Sequence, residues 1–572
     1  MTWGLSRAFK INPGNIIILV IFIGTFLLVR KVREYRADEG SKEDGSGRIS
    51  VILGVIYTVF YLCVAYITVL DGLTNPLFIA AILAVTLAGM FLVFRYTVLF
   101  LFGLLSRLSG IKGAKTPERG DGIRIFYVNH IPLLTFLFCL LCYLPYFLYL
   151  FPAVMTPDSI VQYEQIIGVS PFSNHHPLVH TLLFGIFYRL GYLITGNPAI
   201  AVSFYTAAQL LFMCFTAAFV IATLRKMGVR PIFLSLSALF YAIVPYHAVF
   251  AVTIWKDVIF AAVVTIFVCL LIRSEMDTPS VLNMITLVIT GTGICLFRSN
   301  GWYAFLICLP FLLFRYRRMH RQLLCLAGSL IIAIVIKFPV MHALHVIPPD
   351  LTESLSIPLQ QIASVIAYKG DIYPEEREEL SKVADLSYVP ELYEPAFADN
   401  IKELVRAGHP EYLEAHKKDF LLLYLKIGAR HPMAYFRAYV QQTVGYFFPD
   451  EFYPVGDAEG VSGSAYGIRH TPLIGGMKVV KGKEILMKLG DMIPGYSFLF
   501  SMGTVFWIFL FTAGRAVVLG NKKQLIFYLP FLALVFTIFL ATPVATEFRY
   551  VYFLIHALPL YPAIATRKER NE

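Results

Sequence analysis

Residues 198–230 read PAIAVSFYTAAQLLFMCFTAAFVIATLRKMGVR. The first 26 of them, Pro198 to Thr223, carry no charge, and the stretch closes on Arg225, Lys226 and Arg230. About 20 apolar residues wound as a helix cross a hydrocarbon layer of about 30 Å, and Lys and Arg collect in the loops on the cytoplasmic side. The run therefore predicts a spanning helix that enters from outside and stops on a basic inner loop. The whole chain follows suit. Of its 572 residues 58% are hydrophobic and only 15% charged, against about 25% charged in a soluble domain. That balance excludes a soluble globular protein. Uncharged runs of this length, in place of alternation over about 10 residues, favour helices over a barrel.

Working outward, apolar segments fall at 15–29, 49–70, 77–94, 131–151, 198–223, 231–247, 257–272, 279–296, 302–314, 322–339, 497–513, 524–541 and 550–565. The fold class expected is an all-α polytopic membrane protein of about thirteen transmembrane helices. The first segment is read as an anchor, because Arg30, Lys31, Arg33 and Arg36 follow it with no small-residue cleavage site. With only Arg7 and Lys10 before it, its start is expected outside. Every second loop is then basic: Arg107 to Arg124, Arg225 to Arg230, Arg273, Arg315 to Arg321, Arg515 to Lys523 and Arg567 to Arg570. The parity requires Pro177 to Thr195 to lie along the outer surface, since a crossing there would bury Arg189 at mid-depth.

Residues 340–496 hold 21 of the 37 acidic residues and 15 of the 48 basic ones, a net charge of −6 against +17 for the remainder. That contrast marks an extracytoplasmic domain, with helical periodicity at 375–383, 400–407, 411–427 and 432–444 and a loop-like composition at 446–467. The expected organisation is three N-terminal helices in 1–125, a transmembrane core in 126–339 with a large outer loop at 152–197, the outer domain at 340–496, and three C-terminal helices in 497–572. All eight cysteines lie in apolar segments and are read as small hydrophobes, Cys139-x-x-Cys142 included. The positive charge is spread over short loops without a nucleic-acid motif, so no nucleic-acid partner is expected.

Polar residues that topology does not explain sit at the outer ends of helices. They are Asp158, Glu164, His175 and His176 in the first large loop, Lys256 and Asp257 in the second, Arg298 and Asn300 in the third, Lys337 before the outer domain, and Glu547, Arg549 and Tyr550 in the last. Lys256, Arg298 and Arg549 are outside against the bias for basic residues inside, which suggests a phosphate or pyrophosphate ligand or, more blandly, contact with anionic headgroups. Asp158 in Thr156-Pro157-Asp158-Ser159 suits a helix start as well as a general base. His176 and His180 have the spacing of two zinc ligands, but no third ligand or HExxH glutamate accompanies them. In the outer domain Gln360, Gln361 and the aromatic stretch Tyr446 to Tyr453 suit a sugar, or for the aromatics a membrane-interface belt.

These motifs (Asp158 in a first loop with surface helices, Trp255-Lys256-Asp257, Arg298-Ser299-Asn300-Gly301 and Glu547-Phe548-Arg549-Tyr550) resemble the GT-C superfamily of membrane glycosyltransferases over about residues 126–565. The chain also resembles bacterial membrane proteins of unassigned function with the same Asn174-His175-His176-Pro177 loop. The resemblance implies a GT-C-like bundle in the plasma membrane with its active site on the extracytoplasmic face. It implies a polyprenyl-phosphate-linked sugar as donor and a cell-envelope glycan, lipid or protein as acceptor. By that reading Asp158 and Asp257 are catalytic, Lys256, Arg298, Arg549 and Tyr550 bind the donor phosphate, and Glu164, His175, His176, Asn300, Gln360, Gln361 and Glu547 line the substrate pocket. Asp257 would hold Lys256 or a divalent cation, Mg or Mn. Metal use is left open, because Asp158 is followed by Ser159 where better-known members often have a second acidic residue. The alternatives are a transporter or flippase of a lipid-linked sugar and a glycan polymer ligase.

Overall fold

The computed structural model describes the chain apart from residues 3, 6–15, 40–43, 71–72, 111–121, 450, 452–459, 462–465, 542–546 and 568–572 and parts of 476–495. Among the described residues there are helices and isolated bridges but no strand. Arg7 and Lys10, the centre of the first basic loop, and Asp450, Phe452 and Tyr453 lie outside the described residues.

Three helices come first, α1 (Ile17–Glu39), α2 (Asp44–Leu70) and α3 (Pro76–Gly110). Then follow α4 (Gly122–Tyr149), α5 (Pro157–Ile167), α6 (Leu178–Thr195), α7 (Pro198–Lys226), α8 (Pro231–Ile243), α9 (Pro245–Ala251), α10 (Lys256–Ser274), α11 (Val281–Phe297), α12 (Ser299–Arg315) and α13 (His320–Val335). Local chemistry sets many of these boundaries. Asn197 caps α7 by accepting from the Ala199 and Ile200 amides, with Pro198 at the first helical position. Ser280 caps α11 in the same way. Gly168 and Gly196 end α5 and α6 in the left-handed region, at φ 80° and 64°. Val244 is extended before Pro245, and α8 and α9 meet there at a bend of 54°.

Helix α10 is the axis of the bundle. Its spanning window is 94% buried, which agrees with a sequence apolar all round. Small residues let its neighbours close in. Gly291 of α11 faces Ser329 of α13, and Gly293 faces Val263 of α10. A second core, separate from that of the bundle, is formed by α14 (Ser356–Ala367), α15 (Asp399–Ala407), α16 (Lys417–Arg430) and the start of α17 (Pro432–Phe447), with Ile362, Val405, Leu413 and Ile427 at its centre. The periodic runs of 340–496 are thus helical, although 411–427 is broken near His416 into Pro410–Ala415 and α16. Helices α18 (Met502–Val518), α19 (Leu529–Leu540), α20 (Tyr552–His556) and α21 (Leu560–Thr566) complete the bundle.

Among the described residues seven helices are long and apolar enough to cross a membrane, or eight if α8 and α9 form one broken span. The protein is an all-α membrane protein. Two expectations change. Helix α6 is itself among the seven, at 18 residues, so its length does not set it apart as a surface helix. The segments at 279–296, 302–314, 497–513 and 524–541 form helices of 17 residues or fewer, and 550–565 is divided into short helices around Leu558. The cysteines are free, with Cys63 and Cys142 half-buried and the rest buried.

At the start of α18 the backbone of Phe448 crosses so closely that a Cβ on Gly503 would meet the Phe448 carbonyl. Backbone cannot rotate away as a side chain can. Gly503→Ala is therefore expected to destabilise the protein by about 1 to 3 kcal/mol, read as a lower midpoint of thermal unfolding in detergent. Gly24→Ala, with open space around it, should leave the midpoint unchanged.

Candidate active site at one end of the bundle

The site is built where the first outer loop meets the break after α9. The Val154 amide donates to Val252 O (2.9 Å) and the Ile254 amide to Val154 O (3.0 Å), a parallel bridge that locks the two segments together. The end of α9 and the unwound stretch 252–255 after it leave carbonyls without helical partners inside the bundle. Gln209 of α7 supplies them, its Nε2 donating to Phe250 O, Ala251 O and Thr253 O at 3.2, 3.1 and 2.7 Å. On this frame Trp255 Nε1 donates to Thr156 Oγ1 (2.8 Å), and Ser159 Oγ donates to Ile254 O (2.6 Å). Thr156 and Pro157 start α5 as the sequence predicts, which puts Asp158 in the first turn.

The Asp158 carboxylate is held by cations. Its Oδ2 accepts from Arg549 Nη1 at 2.9 Å, with Lys256 Nζ at 3.8 Å and His176 Nδ1 at 4.0 Å. Lys256 Nζ also donates to His176 Nδ1, at 3.2 Å. The guanidinium of Arg549 lies over the Trp255 ring at 4.8 Å and reaches Glu547 Oε2 at 3.1 Å. Arg298 lies over the Tyr550 ring at 4.7 Å. So Lys256, Arg298 and Arg549, from three loops, surround one small region with Asp158 in it. Burial would raise the Asp158 carboxyl, but Lys256 and Arg549 outweigh it and hold the group well below the usual carboxylate range. Burial, reinforced by Lys256, brings His176 down to about 3, so it is neutral at pH 7 and accepts from Lys256.

Asp257 differs from the expectation. It pairs with Arg298 and not with Lys256, and its Oδ2 has no hydrogen-bond partner. Its side chain is 1% exposed against 31% for Asp158, so Asp158 is the more accessible of the two carboxylates. The site carboxylates do not fit a divalent cation as they stand. Asp158, Asp257 and Glu547 are each held by an arginine, and among the described residues no group of three His, Cys, Asp or Glu side chains is placed to hold a metal. The His176–His180 zinc pair fails for a related reason. Both ring nitrogens of His180 are engaged, by Gln162 Oε1 at 3.0 Å and Tyr205 OH at 2.8 Å.

Other expected pocket residues stand elsewhere. Glu164 accepts from Tyr466 OH (2.7 Å) and Ser170 Oγ (3.3 Å), and so ties the 466–470 segment to α5. Gln360 and Gln361 are buried in the second core. Gln360 donates to Glu394 O, and Gln361 donates to Tyr435 O and accepts from Tyr424 OH. Through these bonds they brace that domain. Asn300 donates to Thr537 of α19 at 3.2 Å. His175 stacks edge-on against His176 and lies in the field of Glu353, Lys256 and Arg406, which puts it between the site and the second domain. Lys337 is 5.7 Å from the Trp302 ring. Of the aromatic stretch, Tyr446 is buried within electrostatic reach of Tyr550, Glu547 and Arg298.

Sequence reasoning quoted Trp255 without giving it a role, and it missed Gln209 and a polar string deeper in the bundle. His247 Nδ1 pairs with Tyr552 OH at 2.7 Å, His556 Nδ1 pairs with Thr265 Oγ1 at 3.1 Å, and the two imidazoles are 5.8 Å apart. Two histidines in apolar runs were the available signal.

The fold and site define a polytopic α-helical membrane protein whose loops gather a carboxylate and three cations at one end of the bundle. Residues 168–572 match the model described as "Family of unknown function (DUF6020)", and the chain belongs to that family. The match takes in His176, Lys256, Arg298 and Arg549 and begins after Asp158. No curated protein and no solved structure matches the chain.

A histidine kept neutral by the fold takes up a proton when the chain unfolds in acid. His176 therefore contributes stability in full above its ordinary value of 6.5 and loses it as the pH falls toward about 3. Between pH 6 and 4 the unfolding free energy of the wild type in detergent should fall more steeply than that of His176→Gln. The difference approaches one proton, about 1.4 kcal/mol per pH unit. Parallel slopes would mean that His176 is charged in the folded protein.

Proposed function

We propose that the chain is a membrane glycosyltransferase that moves a sugar from a polyprenyl-phosphate donor to an acceptor at the outer face of the membrane. The observation that carries the reading is the meeting of Lys256, Arg298 and Arg549 around the accessible carboxylate of Asp158. A phosphate leaving group needs positive charge more than it needs a proton, and two guanidiniums with one ammonium supply that charge at the membrane boundary. The donor phosphate competes with Asp158 for Arg549 and Lys256. Each cation drawn to phosphate returns basicity to the carboxylate, which then takes the proton of the acceptor hydroxyl as the new glycosidic bond forms. His176 orients Lys256 without adding charge, and Asp257 holds Arg298 over Tyr550.

In this proposal the bundle has about thirteen crossings, with both the N-terminus and the 340–496 domain outside. The gathering of Arg225–Arg230, Arg273, Arg315–Arg321 and Arg515–Lys523 at the opposite end from Asp158 supports that orientation. The string of His247, Tyr552, His556 and Thr265 favours a second reading, a transporter of the same lipid-linked sugar, because polar groups inside a bundle accompany transport paths.

With purified full-length protein in lipid nanodiscs and a panel of polyprenyl-phosphate sugars, Arg549→Gln and Lys256→Gln are each expected to lower transfer by about 10²-fold or more. Asp158→Asn should lower turnover while donor binding persists. Wild-type turnover by Asp158→Asn would remove the base, and donor movement across vesicles without product would favour the transporter. A cysteine introduced at the exposed Ser381 should react with an impermeant maleimide in intact cells. Labelling only after permeabilisation would reverse the orientation and with it the proposed face of the site.

A further inference from the structure

At the end of the bundle away from Asp158 the chain forms an open pocket of about 1880 Å³. Helix α10 fixes the separation, because Lys256 at its start and Arg273 near its end are about 26 Å apart at 1.5 Å per residue. Four separate segments supply the cavity with cations. Lys226 comes from the end of α7, Arg315, Arg317 and Arg318 from the turn after α12, Lys522 and Lys523 from the turn before α19, and Arg567 from the end of α21. Among the described residues Glu275 is the one carboxylate in the lining, and it is already shared between Arg315 (2.8 Å) and Arg567 (3.1 Å), while Lys226 is paired with Asp277 outside the lining. Arg318 and Lys522 are exposed and have no acidic partner among the described residues. The wall is apolar, with Pro310, Phe311, Phe314 and Ile526, and Phe311 and Phe314 are 57% and 69% exposed.

A basic loop by itself follows from topology and calls for no ligand. A concave chamber with several net positive charges, opening beside exposed phenylalanines of α12, is a different object. It presents charge for a phosphate and, next to it, apolar surface for acyl chains. We propose that this cavity binds the phosphate headgroup of an anionic phospholipid, with the chains lying against Phe311 and Phe314. Arg318 and Lys522 take the phosphate oxygens, while Glu275 keeps Arg315 and Arg567 splayed so that the chamber stays open. The proposal does not depend on the reaction at the Asp158 end, and its test reads binding alone.

The test compares full-length wild type with Arg318→Gln/Lys522→Gln/Lys523→Gln in nanodiscs of phosphatidylcholine with or without phosphatidylglycerol, counting lipids retained in native mass spectrometry. As a matched control, Arg30→Gln/Lys31→Gln/Arg33→Gln removes three charges from α1, away from the cavity. Wild type and control should retain phosphatidylglycerol in preference to phosphatidylcholine, and the cavity triple should bind it about a hundredfold more weakly. Phe314→Ala should weaken lipid retention while leaving every charge in place. The proposal is overturned if both triples lose the preference equally, if neither does, or if millimolar inorganic phosphate displaces the lipid completely. The last result would assign the cavity to a free anion.

Discussion

The ion pair between Asp158 and Arg549 ties the first large loop to the last across 391 residues of sequence. Both partners are drawn from water, and a pair so placed gains stability only when its remaining polar atoms are also satisfied. That requirement reaches through the rest of the site. Arg549 needs the Trp255 face and Glu547, Trp255 needs Thr156, and Thr156 must start α5 for Asp158 to lie in its first turn. Lys256, brought to Asp158 by the first residue of α10, needs a neutral His176. Opening the pair leaves a buried cation beside another cation, a cost of about 3 to 5 kcal/mol in comparable settings.

The same economy explains why the interior is divided as it is. Where helices are complete, as in α10, the backbone satisfies itself and the side chains can be wholly apolar. Where the chain unwinds, between α9 and α10, Gln209 enters to bind three carbonyls. Polar side chains inside the bundle either bond back to their own helix, as Thr135 and Thr216 do, or serve a broken helix or a paired network such as His247 with Tyr552. Side chains such as Gln360 and Gln361, which look suited to sugar, perform the same service in the second domain.

How much of this was legible in the sequence depended on whether the information was local. The run 198–223 is one helix, and its basic stop and its Asn197 cap are written in adjacent residues. The grouping of Lys256, Arg298, Arg549 and Asp158 was also readable, because a cation on the outer side violates a statistical rule that needs no partner to be known. Partner choice was not readable. Asp257 pairs with Arg298 in place of its neighbour Lys256 because Lys256 turns toward Asp158 and His176, which only the packing of α10 against α11 and α5 decides. Helix α6 stayed ambiguous for a related reason, since an apolar face suits a lipid surface and a bundle equally well.

Helix α10 is enclosed on all sides, so no face of it can take added volume without moving a neighbour. Inserting a single residue within it would turn Lys256 by about 100° relative to Arg273. The register of this one helix therefore ties the placement of the cation beside Asp158 to that of the basic residue at its other end.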